Sequence, residues 1–95
     1  MVKLVSVTRS HLPEKKYDAH FITDTGREKT VPFGLKNADD YTITHDKEQR
    51  ARYRQRHRKD LETNDPTRPG YLSYYLLWGA APSLRANLQT YRAKL

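Results

Sequence analysis

Arginine recurs at every second position in the stretch Asp46 to Asp60, DKEQRARYRQRHRKD: Arg50, Arg52, Arg54, Arg56 and Arg58, followed by Lys59. A guanidinium offers a planar fork of N–H donors that fits carboxylates and phosphates bidentately, so this stretch carries the chemistry for meeting an acidic partner. In a strand these arginines would share one face. In a helix, at roughly 100° per residue, they split into two stripes: Arg50, Arg54 and Arg58 form one, Arg52 and Arg56 the other. Between the stripes lie Gln49, Tyr53, His57 and Leu61, a thin semi-polar seam too weak to hold the helix on a core unaided. An acidic protein surface and the phosphates of a nucleic acid both remain open as the partner, and a plainly solvated face is the third reading. Arginines on two sides suit a helix wedged between neighbours better than one laid in a single groove.

A second group with chemistry of its own is aromatic: Tyr71, Tyr74, Tyr75 and Trp78 in YLSYYLLW, with Tyr53 on the basic stretch. Such rings serve as interface anchors, stack on bases, or simply fill a core. No basic residues are interleaved in YLSYYLLW, and the chain is poor in aliphatics, so core is the favoured reading. The four histidines, His11, His20, His45 and His57, fall in separate segments and form no paired-ligand spacing. Asp39-Asp40 reads as loop chemistry, with Asp40 satisfying backbone amides. There is no glycine-rich phosphate loop, nucleophile elbow or cysteine. No catalytic residue, metal site, cofactor or small-molecule substrate is expected.

Positioning these groups falls to a small scaffold. Leu, Ile, Val and Phe supply 18 of the 95 residues, and the net charge is +7 with a pI near 9.8. That combination borders on the disordered range, offset by seven tyrosines and a tryptophan whose rings bury large areas. One domain, 1–95, is the limit, and it should be firmer against a partner than alone. No apolar run is long enough to cross a bilayer. The opening MVKLVSVTRS is too short and polar for a signal peptide, which points inside the cell or inside an assembly made there.

The expected fold is α+β: an N-terminal β-hairpin, with a third strand offered by the first residues, followed by three helices. Residues 1–14 form an arm or strand, where Val2, Leu4 and Val7 alternate and Val5 breaks the pattern. Residues 15–34 form the hairpin. Tyr17, Ala19 and Phe21 alternate with Asp18 and His20, Asp24-Thr25-Gly26 turns the chain, and Pro32 confines the return strand to an edge. Residues 46–62 form the basic helix, with Asp46 as cap and Gln49 reaching back to it. After the turn cluster Asn64 to Gly70, residues 70–95 hold the aromatic segment and a final helix. Helix is favoured over buried strand for YLSYYLLW, with Gly79 as its C-cap. Leu84, Leu88, Tyr91 and Leu95 share one face of the last helix.

One ordered series gathers much of this: Phe33-Gly34, Asp40-Tyr41-Thr42, Arg50-x-x-Tyr53-x-x-Arg56-His57, Asp65-Pro66, Gly70-Tyr71-Leu72-Ser73, Leu77-Trp78 and Pro82-Ser83-Leu84. It resembles a group of small basic proteins of unassigned function encoded by nucleocytoplasmic large double-stranded DNA viruses, the giant-virus group. The chain departs from that pattern at Thr63-Asn64, where a tryptophan is frequent, and at Leu72 and Tyr74 around the serine. The resemblance implies a viral origin and a place in the virion. The expected function is therefore a minor capsid or cement subunit that contacts larger capsid proteins through its arginines and a strand edge. The alternative is a nucleic-acid-binding protein that condenses or tethers the viral genome through Arg50 to Lys59.

Overall fold

The computed structural model describes residues 2–95. Three strands, β1 (Lys3–Arg9), β2 (Lys15–Ile22) and β3 (Glu28–Leu35), form an antiparallel meander in the order β1-β2-β3. The third strand offered by the N-terminus is therefore present. Leu4 pairs with Phe21 and Ser6 with His20, so Val5 is an extra residue in a β-bulge. Its broken alternation is the signature of that bulge, and its side chain stays half exposed at 50%. β3 is an edge strand, where Pro32 costs no ladder bond, and it runs past Phe33 to Leu35.

Helices follow: a single turn α1 (Tyr41–Thr44), then α2 (Lys47–Arg56), a 3-10 segment Arg58–Thr63, α3 (Pro69–Leu72) and α4 (Leu84–Lys94). α3 runs directly into a π-type turn over Ser73–Leu77. Asp40 starts α1 by accepting from the Thr42 amide at 2.8 Å, the backbone role expected of it. The Lys16 ammonium joins it in a buried ion pair, linking β2 to the first helical turn.

Several boundaries differ from the sequence expectation. Asp39-Asp40, expected to be loop, leads straight into a helical turn, because Asp40 caps α1. The basic helix stops at Arg56 rather than 62: His57 leaves the helical region and the next six residues tighten into 3-10 turns ending at Asn64 in the left-handed region. Local side chains favour this, with Asp60 against the His57 ring at 3.2 Å and the Thr63 hydroxyl donating to the Asp60 carbonyl. Asp46 caps α2 through the Glu48 and Gln49 amides as expected. Gln49 does not reach back to Asp46; its Oε1 accepts from the Thr44 hydroxyl.

The inner face of the sheet carries Leu4, Ala19, Phe21, Val31 and Phe33, packed on Tyr41, Leu72, Leu76, Trp78 and Tyr91 from the helices. Asn87, only 3% exposed, stitches the helical side together: its Nδ2 donates to the Leu76 and Ala81 carbonyls and its Oδ1 accepts from the Ala81 amide. Gly79 is needed for space. A Cβ there would lie 2.1 Å from the Tyr75 carbonyl oxygen. Gly79→Ala is accordingly expected to cost about 3 kcal/mol or more in urea denaturation.

On the other side of β2, the buried Asp18 carboxylate accepts from the Ser10 hydroxyl, the His11 amide and the His11 ring. Burial alone would raise its pKa, but these hydrogen bonds outweigh burial and hold it at about 2 against an ordinary 3.8. A depressed folded-state pKa stabilises the fold above the unfolded value and loses that contribution as pH falls through the folded one. Wild-type stability should thus drop between about pH 4 and pH 2. Asp18→Asn should be less stable at neutral pH and show a flatter profile across that window in acid titrations followed by circular dichroism.

Candidate binding site: a basic helix with one free side

α2 does not present its arginines on two sides. Arg50 and Arg54 point back into the fold. The Arg50 Nε donates to the Gly79 carbonyl at 2.6 Å, and the Arg54 Nη1 donates to the Trp78 carbonyl at 2.7 Å. Each guanidinium also lies over a ring, Arg50 at 5.6 Å from the Tyr41 centroid and Arg54 at 4.2 Å from that of Tyr74. Charge-assisted bonds of this kind are about twice as strong as neutral ones. They fix the helix where its thin seam cannot.

The seam contributes a stack. Tyr53 lies parallel to Trp78 at 4.3 Å and to His57 at 4.1 Å, so its two faces are both covered. Burial pushes the Tyr53 phenol up to about 12, with the Asp60 charge adding to the effect and Arg56 opposing it. His57 is thus a packed, hydrogen-bonded imidazole.

Arg52, Arg56, Arg58 and Lys59 are exposed. Arg52 and Arg56 share the solvent side of α2 with Gln55, and Gln55 lines a shallow depression together with Arg58, Lys59, Leu61 and Glu62. The free surface therefore continues from the helix into the 3-10 segment. Among the described residues none of these four cations forms an ion pair or a side-chain hydrogen bond, although Glu48 stands four residues before Arg52. Like charges at i and i+4, as in Arg52 and Arg56, repel by a few tenths of a kcal/mol. The fold retains that repulsion rather than neutralising it.

The remaining aromatic candidates are interior. Tyr74 and Trp78 are buried, and Tyr71 and Tyr75 cluster half-buried with Tyr91. Their rings engage one another, which leaves no open platform of Tyr71, Tyr74 and Tyr75 for base stacking. Burial raises the phenols of Tyr71 and Tyr91, and the Tyr91 hydroxyl donates to the Pro66 carbonyl at 2.6 Å. Asn87 and Lys16 escape the sequence reading; a polar residue between Leu84 and Leu88 carries no local mark of its distant acceptors. The histidines stay apart. His11 meets Asp18, and His20 sits on the polar face between Thr8 and Thr30. No group of three or more His, Asp or Glu converges on a metal-sized site among the described residues. Likewise no helix among them is long and apolar enough to cross a membrane.

These features define a small α+β protein built round an electrostatically asymmetric helix. Residues 5–57, more than half of the chain, match a family of unknown function, DUF5754, and the chain belongs to that family. No curated protein and no solved structure matches it. The matched stretch runs from the bulge in β1 to the first residue beyond α2.

The two groups of arginines should separate by stability. Arg50→Gln and Arg54→Gln are expected to cost about 1.5–3 kcal/mol each in urea denaturation, through loss of charged hydrogen bonds. Arg52→Gln and Arg56→Gln should stay within about 0.5 kcal/mol of the parent.

Proposed function

We propose that this chain is a structural protein of a large DNA virus particle, a minor capsid or cement subunit that docks on a larger capsid protein. The observation that carries the reading is the free surface of Arg52, Arg56, Arg58 and Lys59, without ion pairs among the described residues. Guanidinium groups on such a surface pair bidentately with carboxylates of a neighbour. Repetition in a lattice multiplies modest single contacts through avidity. The viral assignment rests on the ordered series from Phe33-Gly34 to Pro82-Ser83-Leu84. Docking by strand addition has less support. The Arg92 guanidinium holds the Leu4 and Val5 carbonyls of β1, and Pro32 interrupts donation along β3.

A second reading, a protein that tethers the viral genome, is favoured by the withdrawal of Arg50 and Arg54 into the fold. It leaves Arg52 and Arg56 together on the solvent side of α2, followed in the chain by Arg58 and Lys59, which suits a phosphate track. Quantitative mass spectrometry of purified particles separates the two. A copy number fixed by the lattice supports the capsid role, one that scales with genome length supports tethering, and absence from particles removes both. In parallel, binding to random duplex DNA should be weak and flat with salt on the first reading. On the second, four phosphate contacts give a log–log salt slope of about −3 to −4, which glutamine at positions 52, 56, 58 and 59 abolishes.

A further inference from the structure

A second cationic site lies away from the free surface, in a cavity of ≈ 160 Å³ between α2, the π turn and α4. Its lining includes Arg54, Tyr75, Asn87, Thr90, Tyr91 and Lys94, and it contains no Asp or Glu. Both cations are held before any ligand arrives. Arg54 is half-buried, with Nη1 on the Trp78 carbonyl and its plane over Tyr74. Lys94 places its ammonium 3.6 Å from the Tyr75 centroid.

The local charge is not balanced within the fold. Arg54 uses only one of its five N–H donors on a protein acceptor, and no carboxylate pairs with it among the described residues. Both cations fall in the last turn of their helices, where the backbone supplies about half a negative charge each. Two full positive charges against two halves leave about one positive charge at the cavity, where Arg54 is half-buried and Lys94 remains exposed. The Tyr75 hydroxyl makes no hydrogen bond among the described residues, so one neutral donor is also free. Asn87 and Thr90 are already engaged, Asn87 with the Leu76 and Ala81 backbone and Thr90 with the Ala86 carbonyl. They wall the cavity with neutral groups and add no negative charge to it.

We propose that this cavity binds a phosphoryl group, as free phosphate or as the terminal phosphate of a small ester. A tetrahedral oxyanion accepts from the Arg54 fork and from the Lys94 point charge at once, whereas a single carboxylate is satisfied by the fork alone. The volume has room for on the order of five waters and lies below the range of pockets that enclose drug-sized molecules. It takes the phosphate and leaves any esterified remainder outside. The site is distinct from Arg52, Arg56, Arg58 and Lys59 and does not depend on the docking role.

The test titrates the full chain with sodium phosphate and with sodium chloride at matched ionic strength, followed by 15N-resolved NMR and by melting temperature. Saturable shifts at the Arg54 Nε and at Thr90, with a rise in Tm for phosphate alone, are expected. Lys94→Gln should lower the ligand-free Tm by a few degrees at most and weaken phosphate binding at least tenfold, while Arg56→Gln leaves binding unchanged. Lys94 is the residue to change because Arg54 also supports the fold. Adenosine monophosphate run alongside distinguishes the sources: tighter binding than inorganic phosphate assigns the site to an ester, weaker binding to the free ion. Equal responses to chloride and phosphate, or equal losses in Lys94→Gln and Arg56→Gln, would overturn the proposal.

Discussion

Where the chain leaves its π turn, the carbonyls of Trp78 and Gly79 have no helical amide to accept from, and Arg54 and Arg50 take them. These two bonds join α2 to the aromatic segment across separations of 24 and 29 residues. They also set the rotation of α2 about its own axis. With Arg50 and Arg54 turned inward, Tyr53 falls onto Trp78, and Arg52 and Arg56 are left facing solvent. The charge asymmetry of the surface is thus a product of how the interior is held.

The same economy of apolar material recurs elsewhere. A chain with few aliphatic side chains uses directional contacts where a larger domain would use packing. Asn87 bridges α4 to the π turn, Lys16 and Asp40 tie sheet to helix, and Asp18 anchors the loop that leaves β1. No buried side-chain nitrogen or oxygen lacks a partner among the described residues. A satisfied polar network rigidifies a small core, and a half-satisfied one is costly. Loss of any single member therefore reaches further here than in an aliphatic core.

Much of the architecture was legible in the residues. The alternation of Tyr17, Ala19 and Phe21, the edge position of Pro32 and the Asp46 cap all follow from local rules, and the structure has each of them. Val5 was legible as an irregularity but not as a bulge, because its pairing depends on β2. The end of α2 at Arg56 was hidden, since nothing from His57 to Glu62 is a poor helix former of the Gly or Pro kind. The division of the arginines was hidden for a different reason. Periodicity yields stripes, but which stripe turns inward depends on backbone acceptors far along the chain. Gly79 reads as a cap in the sequence, whereas its missing side chain makes room for the Tyr75 carbonyl and Asn87.

The bulge at Val5 and the guanidinium of Arg92 have a consequence for the order of assembly. Their contacts close loops of 87 and 88 residues, nearly the whole polypeptide. Such closures cost the most chain entropy and are rewarded only once the intervening segments have condensed. The β1–β2 and β2–β3 hairpins and the local helical turns are cheap to form early, and the Arg92 clasp of α4 on β1 closes last. Release of that clasp frees α4 from β1 without parting either hairpin.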